Sequence, residues 1–217
     1  MIRAIDSVSV SKICSGQVIV DLATAVKECL ENALDANATS IQITLKDMGI
    51  DHIEVSDNGS GIHPEDYESI CLKHHTSKLK QFHDLDSISS FGFRGEALNA
   101  LCELSEQCTI TTRCASDEIG MQLFFSPQGE FLEKKMFPRG QGTTVAISKL
   151  FSSLPVRRGE FIRSIKKHYQ RFLRIVQCYA IIAVGVKFLV YNISKVRFPS
   201  VIFPDALQNV VIKKLDS

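Results

Sequence analysis

The chain has 217 residues, of which 45% are hydrophobic, and this suffices for one main domain and the beginning of a second. Its 25 basic and 24 acidic residues give a formal charge of +1, so the overall charge indicates neither a nucleic-acid nor a membrane partner. Seven scattered cysteines without a C-x-x-C pair, no apolar leader and no apolar run of membrane-spanning length favour a soluble, intracellular protein that does not contact membranes.

The hydrophobic pattern predicts helices and strands in an order typical of an α+β fold. In chain order they are a helix from Asp21, strands at 41–45 and 53–55, a short helix after Pro64, a polar loop over 73–90, a helix from about Gly95, strands at 107–112, 121–125, 131–136 and 143–148, a helix over 160–183 and a strand at 186–191. This grouping indicates a sandwich with a mostly antiparallel sheet. We assign residues 1–195 to this domain, and the proline-punctuated stretch 196–217 to the start of a second one.

Glu28 and Asn32 lie four residues apart on the first predicted helix, so their side chains point the same way. A carboxylate can act as a general base on a water molecule, and an amide oxygen can ligate a hard cation such as Mg²⁺. The spacing alone also fits a solvated acidic helix face, because charged residues mostly lie exposed.

Asp57 ends a predicted strand and is followed by Asn58-Gly59-Ser60-Gly61, where two glycines allow a ligand to approach the backbone. Its carboxylate can accept a hydrogen bond from an exocyclic amine. A plain turn between strand and helix is the alternative. A calcium loop is excluded, because glycine and isoleucine occupy three positions that require oxygen ligands or a sharp turn.

The run Gly92-Phe93-Arg94-Gly95-Glu96-Ala97-Leu98 places two glycines before a predicted helix. Free amides at a helix start favour phosphate groups, although such a loop can also serve packing alone. Neither a Walker A motif nor a dinucleotide-binding fingerprint occurs in the chain, so any nucleotide site must belong to another fold.

Taken together, these motifs resemble the GHKL ATPases, a superfamily that includes DNA gyrase, heat-shock chaperones, histidine kinases and MutL. Glu28 with Asn32, Asp57-x-Gly-x-Gly61, the glycine run and Gly142-Thr143-Thr144 follow the order of the GHKL motifs. GFRGEAL at 92–98, KHHTSK at 73–78 and LFSSLPVR at 150–157 resemble MutL proteins, with His74-His75 most similar to the eukaryotic PMS type. The resemblance covers about residues 5–192 and implies the GHKL sandwich, with helices packed on one face of a mixed sheet.

The resemblance implies a role for each matching residue. Glu28 would activate the attacking water, Asn32 would hold Mg²⁺, and Asp57 would accept the adenine amino group, with Gly61 and Thr143 beside it. Thr76, Ser77 and Lys78 would belong to the lid over ATP, and the backbone of Gly92, Phe93, Arg94, Gly95, Glu96, Ala97 and Leu98 would wrap the phosphates. Cys29 and Ala33 depart from the leucine and serine usual in the family, and both should be tolerated.

The implied function is Mg²⁺-dependent ATP hydrolysis that couples nucleotide state to dimerisation in DNA mismatch repair. Expected partners are a second MutL-family subunit, a MutS-type recognition complex and double-stranded DNA, and the expected location is the nucleus. The family places a phosphate-contacting lysine beyond Ser217, so we expect slow turnover by this chain. A catalytically silent binding module is the alternative, although such a module has no need for Glu28; GFRGEAL and LPVR disfavour a histidine kinase or chaperone.

A basic cluster follows the last motif. Between residues 157 and 174 the chain has seven lysines and arginines and a single acid, Glu160. Phosphate contacts through Arg163, Lys166 and Lys167 would give salt-dependent DNA binding. A solvated helix face is an equal alternative, because no aromatic residues are interleaved for base stacking.

Overall fold

The structure is a computed structural model that describes residues 3–76, 90–92, 95–194 and 210–215. The helices are α1 (Ser7–Val18), α2 (Leu22–Asp35), α3 (Ala97–Leu104), α4 (Pro155–Arg163) and α5 (Ile165–Ile182). The strands are β1 (Ser40–Lys46), β2 (His52–Asp57), β3 (Gln107–Arg113), β4 (Gly120–Phe125), β5 (Phe131–Phe137), β6 (Gly142–Ser148), β7 (Lys187–Ile193) and β8 (Val210–Leu215). Short 3-10 helices lie at Asp47–Gly49 and Pro64–Asp66.

All of these strands form one sheet in the order β5-β4-β3-β6-β2-β1-β7-β8. Neighbours from β5 to β1 pair antiparallel, whereas β7 runs parallel to β1 and β8 runs parallel to β7. The predicted α+β sandwich with a mostly antiparallel mixed sheet is confirmed. In the β2–β6 pair, Ser56 lies opposite Thr144. This register places the end of β2 beside the start of β6.

One face of the sheet carries the hydrophobic core. Along β1, Ile41, Ile43 and Leu45 are fully buried, while Gln42 and Thr44 between them are half-buried. Helix α2 packs against α5, and its apolar stripe is buried in the same core: Leu22, Val26, Cys29, Leu30 and Ala33. Burying each large aliphatic side chain contributes roughly 1.5–3 kcal/mol, so apolar contacts fix the rotation of α2 about its axis. That rotation sets where its polar residues point.

Helix α1 was not predicted from the sequence. The Asp6 carboxylate caps it by accepting a hydrogen bond from the Ser9 amide at 2.8 Å. The helix has no buried apolar stripe; instead, Ser11 and Ser15 donate to Glu103 Oε2 of α3 at 2.9 and 2.5 Å. Because polar bonds attach α1 to the domain, a search for hydrophobic periodicity cannot detect it.

The single helix predicted over 160–183 is instead α4 and α5, separated at Ser164. The amide and the hydroxyl of Ser164 both donate to the Glu160 carbonyl, at 3.0 and 2.8 Å, which ends α4. Beyond the last predicted strand, β8 extends the sheet beside β7. The domain boundary after residue 195 stays a prediction.

All seven cysteines lie in the described ranges and none forms a disulfide; Cys14 and Cys178 are exposed and the others are buried. The described fold is therefore held by packing and hydrogen bonds rather than by cross-links. Within the described residues, no helix combines the length and the hydrophobicity needed to cross a membrane.

Candidate functional site

A cavity of about 700 Å³ opens between α1, α2 and the start of α3. Its lining includes most of the residues predicted for catalysis, metal binding and phosphate binding: Glu28, Asn32, Thr76, Gly92, Gly95, Glu96, Ala97 and Leu98. Ser77, Lys78, Phe93 and Arg94, also predicted for this site, lie outside the described residues. The structure thus brings three separate sequence motifs to one cavity.

Glu28 and Asn32 reach the cavity because the opposite side of α2 is buried in the core. The Glu28 side chain is 24% exposed, and its Oε1 lies 3.2 Å from Lys27 Nζ. Lys27 Nζ also lies 2.8 Å from Glu31 Oε2. Although burial lowers it, the hydrogen bond to Glu31 and the attraction of Glu28 raise the pKa of the Lys27 ammonium. A charged lysine therefore lies beside the candidate general base.

The glycine loop before α3 is fixed by backbone contacts. The Asp35 carboxylate at the end of α2 accepts from the amides of Phe91 and Gly92, at 2.9 and 3.2 Å. Gly95 has φ +61°, and a Cβ there would lie 2.3 Å from the His75 carbonyl oxygen, so a larger residue would displace the loop. Glu96 precedes the first turn of α3 without a side-chain cap bond. Amides at this helix start can therefore serve a ligand.

A second group of predicted residues gathers around Asp57 at the end of β2. Asp57 Oδ1 accepts from the Gly59 and Thr143 amides at 2.8 and 3.1 Å. Burial raises the pKa of Asp57, while these two hydrogen bonds and the nearby Arg139 guanidinium oppose the rise. Backbone donors thus fix one carboxylate oxygen of Asp57. The other oxygen lies in the same partly desolvated surroundings, where it can accept a hydrogen bond from a ligand.

Gly61 closes the turn after Asp57. It has φ +81°, and a Cβ there would lie 2.3 Å from the Arg113 carbonyl oxygen. The Ile62 amide donates to Thr112 Oγ1 at 2.9 Å, which ties the turn to β3. This turn is therefore a close-packed backbone feature that depends on glycine.

The group around Asp57 does not line the cavity described above, but both it and Glu28 lie near the buried Cys29 of α2. The charges of both Glu28 and Asp57 affect the pKa of this cysteine. Desolvation, followed by the negative charges of Glu28 and Asp57, raises the pKa of its thiol to about 12.

Arg139 is a site residue that the sequence motifs did not reveal. Its Nη2 donates to the Asp57 carbonyl at 3.1 Å, and its Nη1 donates to the Thr111 carbonyl and, at 3.2 Å, to Thr144 Oγ1. It lies between β5 and β6, and no spacing rule marks an arginine there. By crossing the ends of β2, β3 and β6, it places a positive charge beside Asp57.

The LPVR motif gains a structural explanation. Arg157 Nη1 donates to the Gly16 and Ile19 carbonyls at 2.6 and 3.4 Å, which satisfies the C-terminal end of α1. Arg158 donates to the Leu150 and Ile50 carbonyls at 2.7 and 3.0 Å. These two arginines of the basic cluster thus hold neighbouring segments of the domain together.

The other basic residues of the cluster divide by their surroundings. Arg171 forms an ion pair with Asp21 at 2.9 Å. Arg163 at the end of α4 and Lys166 and Lys167 at the start of α5 are exposed. These three, the residues predicted to contact DNA, form an outward-facing group.

The model of the family described as "Histidine kinase-, DNA gyrase B-, and HSP90-like ATPase" matches residues 20–128, about half of the chain. Human mismatch repair endonuclease PMS2 is 52% identical over 186 residues. That match covers 86% of this chain and 22% of the human protein, so the chain spans about a fifth of this relative.

The comparison with solved structures agrees with these sequence matches. The crystal structure of the N-terminal domain of a DNA repair protein matches with a TM-score of 0.75 and 43% identity, over 85% of this chain and 52% of that one. The Aquifex aeolicus MutL ATPase domain complexed with ADP matches with a TM-score of 0.58 and 27% identity, over 77% and 57% of the two chains. Both structural matches cover more of the chain than the family model does, so the shared fold extends beyond residues 20–128.

Proposed function

The chain belongs to the GHKL family, which joins histidine kinase-, DNA gyrase B- and HSP90-like ATPases, and from this we propose that it binds and hydrolyses ATP as the N-terminal domain of a MutL/PMS-type mismatch-repair protein. One observation carries the proposal: Glu28, Asn32 and the start of α3 line the same cavity. The ADP bound to the Aquifex aeolicus MutL ATPase domain supports a nucleotide as the ligand.

In the proposed complex, Asp57 accepts the adenine amino group, with Gly61 and Thr143 packed beside it. The phosphates lie against Gly92 and against the segment from Gly95 to Leu98, where the positive end of the α3 dipole and the amides at the helix start favour anions. Thr76 lines the cavity and would belong to the lid over ATP, for which the family resemblance also implies Ser77 and Lys78.

Mg²⁺ is the metal implied by the family, and the chemistry of the cavity lining fits it. The Asn32 amide supplies an oxygen, and Mg²⁺ commonly takes few protein ligands and shares its coordination with substrate phosphates. Asn32 would hold the ion. When bound, the ion would neutralise charge on the phosphates during transfer.

Glu28 performs the proton transfer in the proposed reaction. Its carboxylate accepts a proton from a water molecule whose oxygen attacks the γ-phosphorus; the bond to the bridging β-phosphate oxygen breaks, and ADP leaves. A positioned base and fixed amides stabilise this transition state more than they stabilise bound ATP.

The proposal extends to the whole protein through its relatives' names. We place the chain in mismatch repair, in the nucleus, with a second MutL-family subunit, a MutS-type complex and DNA as partners. Nucleotide binding would then control N-terminal dimerisation. Nicking of DNA is not proposed for this chain, which spans about a fifth of the PMS2 relative.

Calorimetry with a non-hydrolysable ATP analogue tests the proposed site. We expect saturable binding of one analogue per chain that is tighter with Mg²⁺ than with EDTA. Asn32→Ala should remove most of the Mg²⁺ dependence and leave the metal-free affinity nearly unchanged. No binding in either buffer would reject the nucleotide site. Binding without any hydrolysis by the wild-type chain would instead favour the silent module.

The exposed basic group supports a further part of the proposal, non-specific contact with DNA phosphates. Changing Arg163, Lys166 and Lys167 to glutamate should weaken duplex binding for all sequences and reduce the salt dependence of the affinity, because fewer counterions are released. Fluorescence anisotropy at several salt concentrations measures both quantities. The matched control changes three exposed lysines on other elements, Lys46, Lys134 and Lys135, to glutamate. An unchanged affinity and salt slope would support the solvated-face interpretation.

A further inference from the structure

A chain of hydrogen bonds leads from α5 to the candidate general base, and it begins at Tyr179. The Tyr179 hydroxyl donates to Glu31 Oε1, across 148 residues of sequence. Both side chains are buried, at 8% and 6% exposure. Burial and the bond to Glu31 raise the pKa of Tyr179, so its hydroxyl keeps its proton and remains a donor. One oxygen of Glu31 is thereby fixed.

The second oxygen of Glu31 holds Lys27. Lys27 Nζ lies 2.8 Å from Glu31 Oε2, one helical turn away, and 3.2 Å from Glu28 Oε1. Adjacent residues on a helix do not face each other, so Lys27 does not meet Glu28 through helix geometry alone. The bond to Glu31 draws the ammonium to the side of α2 where it can reach Glu28.

The tyrosine itself is fixed by the loop that precedes the phosphate-binding amides. The rings of Phe91 and Tyr179 pack edge to face, with centroids 6.1 Å apart and an interplanar angle of 64°. The Phe91 amide is bound by Asp35 of α2 at 2.9 Å. Tyr179 of α5 thus contacts both α2, through Glu31, and the glycine loop, through Phe91.

We propose that Tyr179, Glu31 and Lys27 are positioning residues that hold the Glu28 carboxylate for proton transfer. This proposal rests on the proposed function of Glu28. Lys27 engages Oε1 of Glu28, so Oε2 is the oxygen that takes the proton of the attacking water. In this proposal the three residues act through Glu28 and not on the reacting atoms themselves, so their effect belongs to the chemical step rather than to nucleotide binding.

The test compares the chemical step with nucleotide affinity in single variants. Tyr179→Phe and Lys27→Met should each lower the single-turnover rate about tenfold, a part of the roughly 10²- to 10⁴-fold contribution of a positioned base. The dissociation constant of the ATP analogue should change by less than about twofold. Lys27→Arg, which keeps the charge and can bridge both carboxylates, should restore most of the rate. Tyr169→Phe is the matched control, because it removes a hydroxyl elsewhere on α5.

The double variant Tyr179→Phe/Lys27→Met tests whether Tyr179 and Lys27 act on Glu28 through one chain of contacts, the relay Tyr179–Glu31–Lys27, or independently of each other. Residues that act through one chain are not additive, so the double variant should be no slower than Lys27→Met alone. Equal rates for Tyr179→Phe and Tyr169→Phe, or fully additive losses, would overturn the relay. Thermal melts identify a variant that fails to fold. If Lys27→Met fails to fold, the comparison of Tyr179→Phe with Tyr169→Phe tests the relay.

Glu28→Gln, measured in parallel, distinguishes this proposal from the proposed function. If Glu28→Gln is slow while the relay variants match wild type, the relay fails and the function of Glu28 stands. If Glu28→Gln hydrolyses ATP as fast as wild type, the assignment of the general base fails, and the relay fails with it.

Discussion

Replacing Glu28 by alanine or glutamine is expected to lower the single-turnover rate of ATP hydrolysis by about 10²- to 10⁴-fold, the usual contribution of a positioned general base. ATP affinity should stay nearly intact, because the carboxylate acts on the water rather than on the nucleotide. Glutamine keeps the size of the side chain and removes its basicity. Rapid-quench kinetics and analogue calorimetry measure the two quantities separately.

The control for this prediction is Glu118→Gln, which changes an exposed carboxylate in the loop between β3 and β4. It should leave both rate and affinity unchanged. A parallel loss of affinity and rate in the Glu28 variants would mean that the residue supports the cavity and does not act as the base. The position of Glu28 beside Asn32 in one cavity motivates the prediction.

Much of this cavity could be predicted from the sequence, because the relative positions of its residues follow from local helix and turn geometry. Glu28 and Asn32 share a helix face by their spacing, and the amides before α3 follow from glycines next to a helix start. Strand β1 could be predicted because its buried and half-buried residues alternate. In each case the relevant neighbours lie within a few residues of one another.

The remaining features depend on contacts between distant parts of the chain. Tyr179 meets Glu31 across 148 residues, and Arg139 meets Asp57 across 82. Their positions follow from the packing of α5 on α2 and from the strand order, which no spacing in the sequence encodes. Helix α1 escaped prediction for a related reason, since its polar bonds to Glu103 span 92 and 88 residues.

The adenine end of the site makes a second prediction, that ATP binds more tightly than GTP. Asp57 Oδ1 already accepts from the Gly59 and Thr143 amides. Its other oxygen is available to the ring substituent of the nucleotide. Adenine offers an amino donor at that place, whereas guanine offers a carbonyl acceptor, which leaves two acceptors facing each other.

An unmade buried hydrogen bond of this kind costs about 1–3 kcal/mol, which corresponds to roughly 5- to 150-fold in affinity. Competition of ATP and GTP against a fluorescent ATP analogue measures the ratio. Asp57→Asn should narrow it, because the amide can donate to the guanine carbonyl. Asp117→Asn is the control, since Asp117 accepts from the Cys114 amide within the β3–β4 turn and lies outside the proposed adenine site.

The pH dependence of ATP binding tests the same carboxylate independently. Burial raises the pKa of Asp57 above its ordinary 3.8. Because Oδ1 accepts from two backbone amides, a proton would bind to the other oxygen and turn it into a donor that faces the adenine amino group. The affinity for ATP should therefore be greatest at neutral pH and should fall as the pH drops through this raised pKa. Arg139→Met removes the cation that favours ionisation, and the loss should then begin at higher pH. Equal affinities for ATP and GTP, with the same pH dependence in wild type and Arg139→Met, would remove Asp57 from the adenine site.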